Sequence, residues 1–310
     1  MKDETNSQYT STGTVKSESP DAATSVNDGV ATIESLILQH SSRGMDILRR
    51  YMPADYCMKA AEDLLRQQRG KVLICTGFYC FGTGETDGPV GTYFLAKALK
   101  ELGYSPVIVT DMYSMRYFIA DPSYQLVEYD NESFENIEGN NSYADINNRS
   151  YIEDCVAMIS IERCGRASDG RYYNMKGVDI SRFTSGIDDI FIRSKCLTIG
   201  IGDGGNEIGM GNLEDIIRAE INIIPSSVKV DDLIIATVSN WGAYGFMAAL
   251  GKLTGKSLLP SADDVREYLR YIVILGAVDG IKGEGHYSVD GFGPEVDEEI
   301  IDALSSICVD

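Results

Sequence analysis

The chain has 310 residues, 44% of them apolar, which is enough for a buried core in one large or two modest domains and excludes a disordered chain or a disulfide-stapled mini-protein. Its 27 Lys and Arg against 47 Asp and Glu give a net charge of −20. No stretch gathers the cations that would neutralise a phosphate backbone, so nucleic acid and anionic membrane surfaces are not expected as partners.

Residues 1–29 are dominated by Ser, Thr and Asp and read as a disordered acidic tail. Asp3 and Glu4 stand where a signal or transit peptide would be basic, and no window approaches the ~20 apolar residues of a membrane span, so a cytoplasmic protein is expected. From 31 to 69 apolar residues recur at helical intervals (Ile33, Leu36; Ala60, Ala61, Leu64, Leu65). A strand at 71–76, a helix at 89–102 and a strand at 106–110 then form a βαβ unit whose right-handed crossover makes the two strands parallel. Strand-like runs follow at 156–161, 197–201 and 233–238. Helical segments are expected near 187–193, 214–219, 241–252, 262–275 and 294–304, the fourth opened by a Ser261/Asp264 capping box. The acid- and Asn-rich segment 128–154 reads as a surface insertion or lid. The whole predicts a single α/β domain over 30–310, an open, mostly parallel sheet with helices on both faces and Gly-rich loops at the strand ends.

The stock of catalytic side chains is narrow. His40 and His286 are the only histidines, so acid/base chemistry falls to carboxylates. Seven scattered cysteines without a CxxC pair read as reduced packing residues.

Ligands of open α/β sheets bind beyond the carboxyl ends of the strands, which singles out three loops. GFYCFGTGETDGP (77–89) looks at first like a dinucleotide fingerprint, with Asp111 placed as a ribose-binding acid. Its spacing is GxGxxxG, however, and Glu85 and Asp87 would face a phosphate; an ammonium or a divalent cation suits them better. In GDGGNEIGMG (202–211) glycines permit close backbone approach, while Asp203, Asn206 and Glu207 offer a base or metal oxygens. After the strand at 156–161, Arg163 could grip a carboxylate with Glu162 beside it, near Arg166 and Asp169. Weaker candidates are Asn240 and Trp241 in SNWGAYG (239–245), and Asp279 and Asp290 on either side of His286.

Together with SIERCGRASDGRYYNMKG (160–177), GIGDGGNEIGMG (200–211) and the paired VDG strings (278–280, 289–291), these segments resemble the D-glutamate cyclase family, specifically its C-terminal domain, from about Ile33 to the chain end. The resemblance implies conversion of D-glutamate to 5-oxo-D-proline and water, and raises the mitochondrial matrix as an alternative compartment. The chemistry needs a cationic clamp, a base for the ammonium and an acid or Lewis acid for the departing oxygen. The residues suggest Arg163, or Arg166, as clamp, Glu207 as base, Glu162 or Asp169 as acid, and the N–H groups of Gly204 and Gly205 as an oxyanion hole. Asp87, Asn206 and Asn240 complete the substrate contacts. Either no cofactor is required, or Asp87, Asp203 and Glu207 hold Mg²⁺ or Mn²⁺. A homo-oligomer is kept open, as are two other readings: a non-catalytic amino-acid sensor and a nucleotide-using α/β enzyme.

Overall fold

A computed structural model describes residues 31–129 and 154–308. In chain order these build α1 (Ile33–Ile37), α2 (Met45–Leu48), α3 (Tyr56–Arg66), β1 (Lys71–Thr76), a short hairpin of β2 (Tyr79–Cys80) and β3 (Thr83–Gly84), α4 (Pro89–Glu101), β4 (Ser105–Thr110) and β5 (Gln125–Glu128). After the undescribed segment come β6 (Cys155–Ile161), α5 (Asp188–Arg193), β7 (Leu197–Gly202), α6 (Glu214–Glu220), β8 (Asp232–Ile235), α7 (Ser239–Thr254), α8 (Ala262–Ile274) and α9 (Pro294–Ser306).

Six strands form one sheet in the order β5-β4-β1-β6-β7-β8, and each neighbouring pair is parallel. The expected open α/β sheet is therefore present. The chain winds outward from β1 through β4 to β5, returns to β6 and winds outward the other way. The order thus reverses between β1 and β6, and a crevice opens beyond their carboxyl ends.

Alternation along the strands divides the core. Val72, Ile74, Ile108, Ile159 and Ile199 face the larger apolar cluster, which holds α3, α4, α7, α8 and α9, whereas Leu73, Cys75, Val107, Val109 and Met158 face a smaller one closed by Ile187, Ile190 and Phe191 around α5. Helix α7 is buried from Ser239 to Gly251 and packs against α1, α3, α4 and α9 as well as the sheet. A helix apolar on all sides belongs in such an interior. Its Trp241 packs in the core as a structural residue: it is fully buried, and its Nε1–H donates to Asp297 on α9 at 2.6 Å.

The strand expected at 233–238 is shorter, because residues 236–238 leave the sheet to enter α7. The segment expected as an insertion from 128 begins inside the edge strand β5, which short length and mixed burial hide in the sequence. The tail at 1–29 and residues 130–153 lie outside the described residues. Ser261 caps α8 as its pattern implies, accepting from the Asp264 N–H at 3.2 Å.

Replacing Asp297 with Ala leaves the indole N–H of Trp241 without its acceptor in a dry core, a loss of about 1–3 kcal/mol. The denaturant midpoint, followed by fluorescence of this single tryptophan, is expected to fall accordingly.

Candidate active site at the sheet switch point

Two helix N-termini meet in the crevice and cap each other. Asp87, in the loop after β1, accepts the N–H groups of Ser239 and Asn240 at 2.8 Å each, satisfying the start of α7. Asn240, on α7, returns its Oδ1 to the N–H groups of Gly88 and Gly91 at 3.0 and 2.7 Å, satisfying the start of α4. The close approach demands glycine at 91, where a Cβ would lie 2.8 Å from that of Ala243. Asp87 and Asn240, expected to touch substrate, are thus helix caps that do not line the cavity beside them.

Around these caps lie the acids. Oxygens of Asp87, Asp203 and Asp290 come within 4.8 Å of one another, and so do those of Glu162, Asp203 and Glu207. All five are buried. Asp203 belongs to both groups; the expected metal trio of Asp87, Asp203 and Glu207 is replaced by these two overlapping sets. Arg43, from the segment before α2, inserts its guanidinium and donates through Nη2 to Asp203, Asp290 and the Thr237 carbonyl. Glu162 accepts from Ser239 Oγ at 2.5 Å. Glu162 and Asp290 both hold left-handed backbone, φ 45° and 50°, a costly conformation for residues with a Cβ and one that concentrates at functional sites.

A cavity of about 330 Å³ opens onto this cluster and is lined on its polar side by Arg43, Glu85, Glu162, Lys176, Asp203, Asn206 and Asp290. Phe78, Tyr79, Phe81 and Ile281 supply apolar wall. Two buried acceptor oxygens, Glu85 Oε1 and Asn206 Oδ1, have no hydrogen-bond partner among the described residues, although Asn206 is fixed through its amide to the Tyr173 carbonyl at 2.8 Å. Orphaned buried acceptors are uncommon and point to a ligand that donates.

Several expected roles change. Arg163 is 1% exposed and donates to the Gly77 carbonyl, Asp111 and Ser185, so it ties the β1 and β6 loops together instead of clamping a ligand. The same pair occupies Asp111, which is not left for a ribose. Arg166 is held by Asp188 and Asp189. Asp169 is exposed, bonded to the Tyr173 hydroxyl and the Arg171 N–H, and lines no part of the cavity. The N–H groups of Gly204 and Gly205 donate to the two oxygens of Glu207 at 2.7 Å each, so they form no oxyanion hole, and Glu207 braces the loop behind the cavity. Glu162, Asp203 and Asn206 do line it. Arg43 was not legible in the sequence: it lies 160 and 247 residues from its two carboxylate partners, with no motif around it. Asp290 stood only in a weak VDG string; Asp279 of the other string accepts from Ile281, Lys282, Ser288 and Gly291 and folds that loop so that Asp290 reaches the site.

Burial and mutual repulsion favour protons here. Burial, then the neighbouring Glu207, Asp87 and Glu85, push Glu162 well above the usual carboxylate range. Burial and then Asp290 push Glu85 well up. Burial raises Asp203 strongly against the pull of Arg43. Asp87 rises to about 7, with burial and Asp290 outweighing its backbone hydrogen bonds.

A family profile described as "D-glutamate cyclase-like, C-terminal" matches residues 33–305. The chain belongs to this family. It is 30% identical over 252 residues to the human "D-glutamate cyclase, mitochondrial", a match covering 74% of this chain and 40% of that relative. The family match spans the whole sheet, the two capped helices and every cavity acid. Among the described residues no helix is long and apolar enough to cross a membrane.

The raised carboxyls bind more protons in the native than in the unfolded chain, so stability is full below the ordinary carboxylate pKa values and falls as pH rises through the native ones. For Asp87 the window runs from 3.8 to about 7. The melting temperature of the ligand-free protein is therefore expected to decline over that range, and Asp87→Ala is expected to flatten part of the slope. The same substitution orphans two buried N–H groups of α7, each costing about 1–3 kcal/mol.

Proposed function

We propose that the protein is a carbon–oxygen lyase that cyclises D-glutamate to 5-oxo-D-proline and water. The observation that carries this reading is the pairing, in one cavity of small-molecule size, of a guanidinium with two unpartnered buried oxygens and a buried carboxyl, Glu162, whose proton burial favours. The family and the printed name of the human relative support the same chemistry.

In this reading Arg43, fixed through Nη2, presents the rest of its planar guanidinium to the substrate α-carboxylate. Lys176, which lines the cavity and has no ion pair among the described residues, adds a second positive charge for a substrate that carries two carboxylates. Asn206 Oδ1 accepts from the ammonium, and Glu85, whose proton burial favours, offers the carbonyl oxygen of its carboxyl beside it. Closing a five-membered ring makes the attack on the γ-carbon intramolecular, which removes much of the entropic barrier. The nitrogen must surrender two protons, and the departing oxygen must gain two to leave as water. Asp203, held as the carboxylate partner of Arg43 and made more basic by burial, takes one proton from the ammonium, and Glu162, whose proton burial and its acidic neighbours favour, gives one to the γ-carboxyl oxygen; proton exchange between these neighbouring groups returns both to their starting states, and the same pair then moves the second proton as water leaves. No net proton is consumed.

A second reading adds a divalent cation, favoured by the all-oxygen donor sets that share Asp203. Such donors suit Mg²⁺ or Mn²⁺, which when bound would polarise the γ-carboxyl. Binding of a nucleotide is disfavoured, because the N–H groups of Gly88 and Gly91 at the α4 terminus are already taken by Asn240.

The purified protein is expected to release 5-oxoproline from D-glutamate faster than from L-glutamate. Glu162→Gln is expected to lower turnover about 10²–10⁴-fold, and Arg43→Met to raise KM. An EDTA arm separates the two readings: activity retained after chelation leaves the metal without a part. No product from either enantiomer with Mg²⁺ and Mn²⁺ supplied overturns the enzyme reading, and thermal stabilisation by glutamate without product would establish the sensor instead.

A further inference from the structure

At the opposite end of the sheet from the active site, two cysteines 41 residues apart in sequence come together. Cys155 opens β6 and Cys196 immediately precedes β7, and their sulfurs lie 2.8 Å apart, within about an ångström of a covalent S–S length. Cys155 is 7% exposed, while Cys196 is half-buried and lines a surface cleft of about 320 Å³ with Ser194, Lys195, Lys229 and Asp231. Ser194 Oγ lies 3.2 Å from the Cys196 sulfur and accepts from the Cys196 N–H at 3.1 Å, which fixes the approach to the thiol.

We infer that Cys155 and Cys196 form a reversible dithiol–disulfide pair, with Cys196 oxidised first and Cys155 resolving it, and that a hydroperoxide is the oxidant. The reaction is independent of the proposed cyclase activity. The Cys196 thiolate attacks one peroxide oxygen; the S–O bond forms, the O–O bond breaks, and the leaving hydroxide takes up a proton to become water. Cys155 then attacks the Cys196 sulfur of the resulting sulfenic acid, forming the S–S bond and expelling a second hydroxide, which is protonated to water. Two thiols and one hydrogen peroxide give one disulfide and two waters.

Three features place Cys196 first. It faces the cleft, whereas Cys155 lies behind it. The contact with Cys155, against the cost of burial and with help from Ser194, lowers the Cys196 thiol, which favours its nucleophilic form. The same contact, with burial, raises the Cys155 thiol. By contrast Cys57, Cys75 and Cys164 are buried with thiols raised by burial, which suits packing alone.

The bridge would join the starts of two neighbouring parallel strands and close a long loop, raising native-state stability. The test treats the reduced full chain with a small excess of hydrogen peroxide near neutral pH, blocks residual thiols, and maps peptides by mass spectrometry. A cross-link between the peptides carrying Cys155 and Cys196 is expected, with the denatured thiol count falling from seven to five, reversal by dithiothreitol and a melting temperature raised by several degrees. Cys155→Ser is expected to leave a sulfenic acid on Cys196 that dimedone traps, and Cys75→Ala to leave the cross-link intact. Seven unchanged thiols, irreversible sulfinic acid on Cys196 in the native sequence, or a bridge to another cysteine would each overturn the inference.

Discussion

The organisation of the site depends on two helices supplying each other's missing hydrogen bonds. The first N–H groups of a helix have no partner within it, and burying them uncapped is costly. Here α4 and α7 both start in the crevice between β1 and β6, with no exposed surface to relieve them. Asp87 and Asn240 solve the two problems jointly, each belonging to the loop or helix that the other caps. Because Asp87 must reach α7, the loop after β1 is drawn across the top of the sheet; because Asn240 must reach α4, the two helices approach until only Gly91 fits. Glu162, Asp203 and Asp290 are then carried to within a few ångströms of a helix terminus whose donors are already satisfied.

This arrangement gives the cluster its chemistry. Several carboxyls share a space where water cannot screen them, and one guanidinium, that of Arg43, is present between two of them. Burial is the largest cause that raises the carboxyls of Glu85, Asp87, Glu162, Asp203 and Glu207 alike, and taking up a proton relieves it. The proposed cyclisation shifts two protons from nitrogen to oxygen and needs neighbouring groups in both protonation states, which closely spaced buried carboxyls are suited to supply. The overall charge of −20 has little part in this, since most of the described acids lie outside the buried set, where solvent screens them. At the far end of the sheet the fold likewise holds two ionisable groups together, the sulfurs of Cys155 and Cys196 lying 2.8 Å apart.

Local pattern carried much of the architecture. β-branched runs alternating with amphipathic helices specify parallel strands, and the glycine-rich strings at 77–91 and 202–211 mark places where backbone turns sharply beside the cavity. Glu162, Asp203 and Asn206 could be picked out because polar residues in such loops are rarely needed for turning. The same reasoning misassigned Arg163, Arg166 and Asp169, since a charged residue beside a strand end looks identical whether it faces a cavity or a buried partner. Asp111 and Ser185, which hold Arg163, lie 52 and 22 residues away.

What the sequence determined by itself was therefore the sheet, the loops that crown it and the carboxylate character of the site, because periodicity and turn chemistry are properties of neighbouring residues. Tertiary structure alone decided which charges remain available. Arg43 reaches Asp203 and Asp290 across the fold, Asp87 and Asn240 are spent on helix ends, Glu207 is spent on Gly204 and Gly205, and Cys196 meets Cys155. Such pairings depend on distances in space between residues far apart in the chain, and no local rule of spacing encodes them.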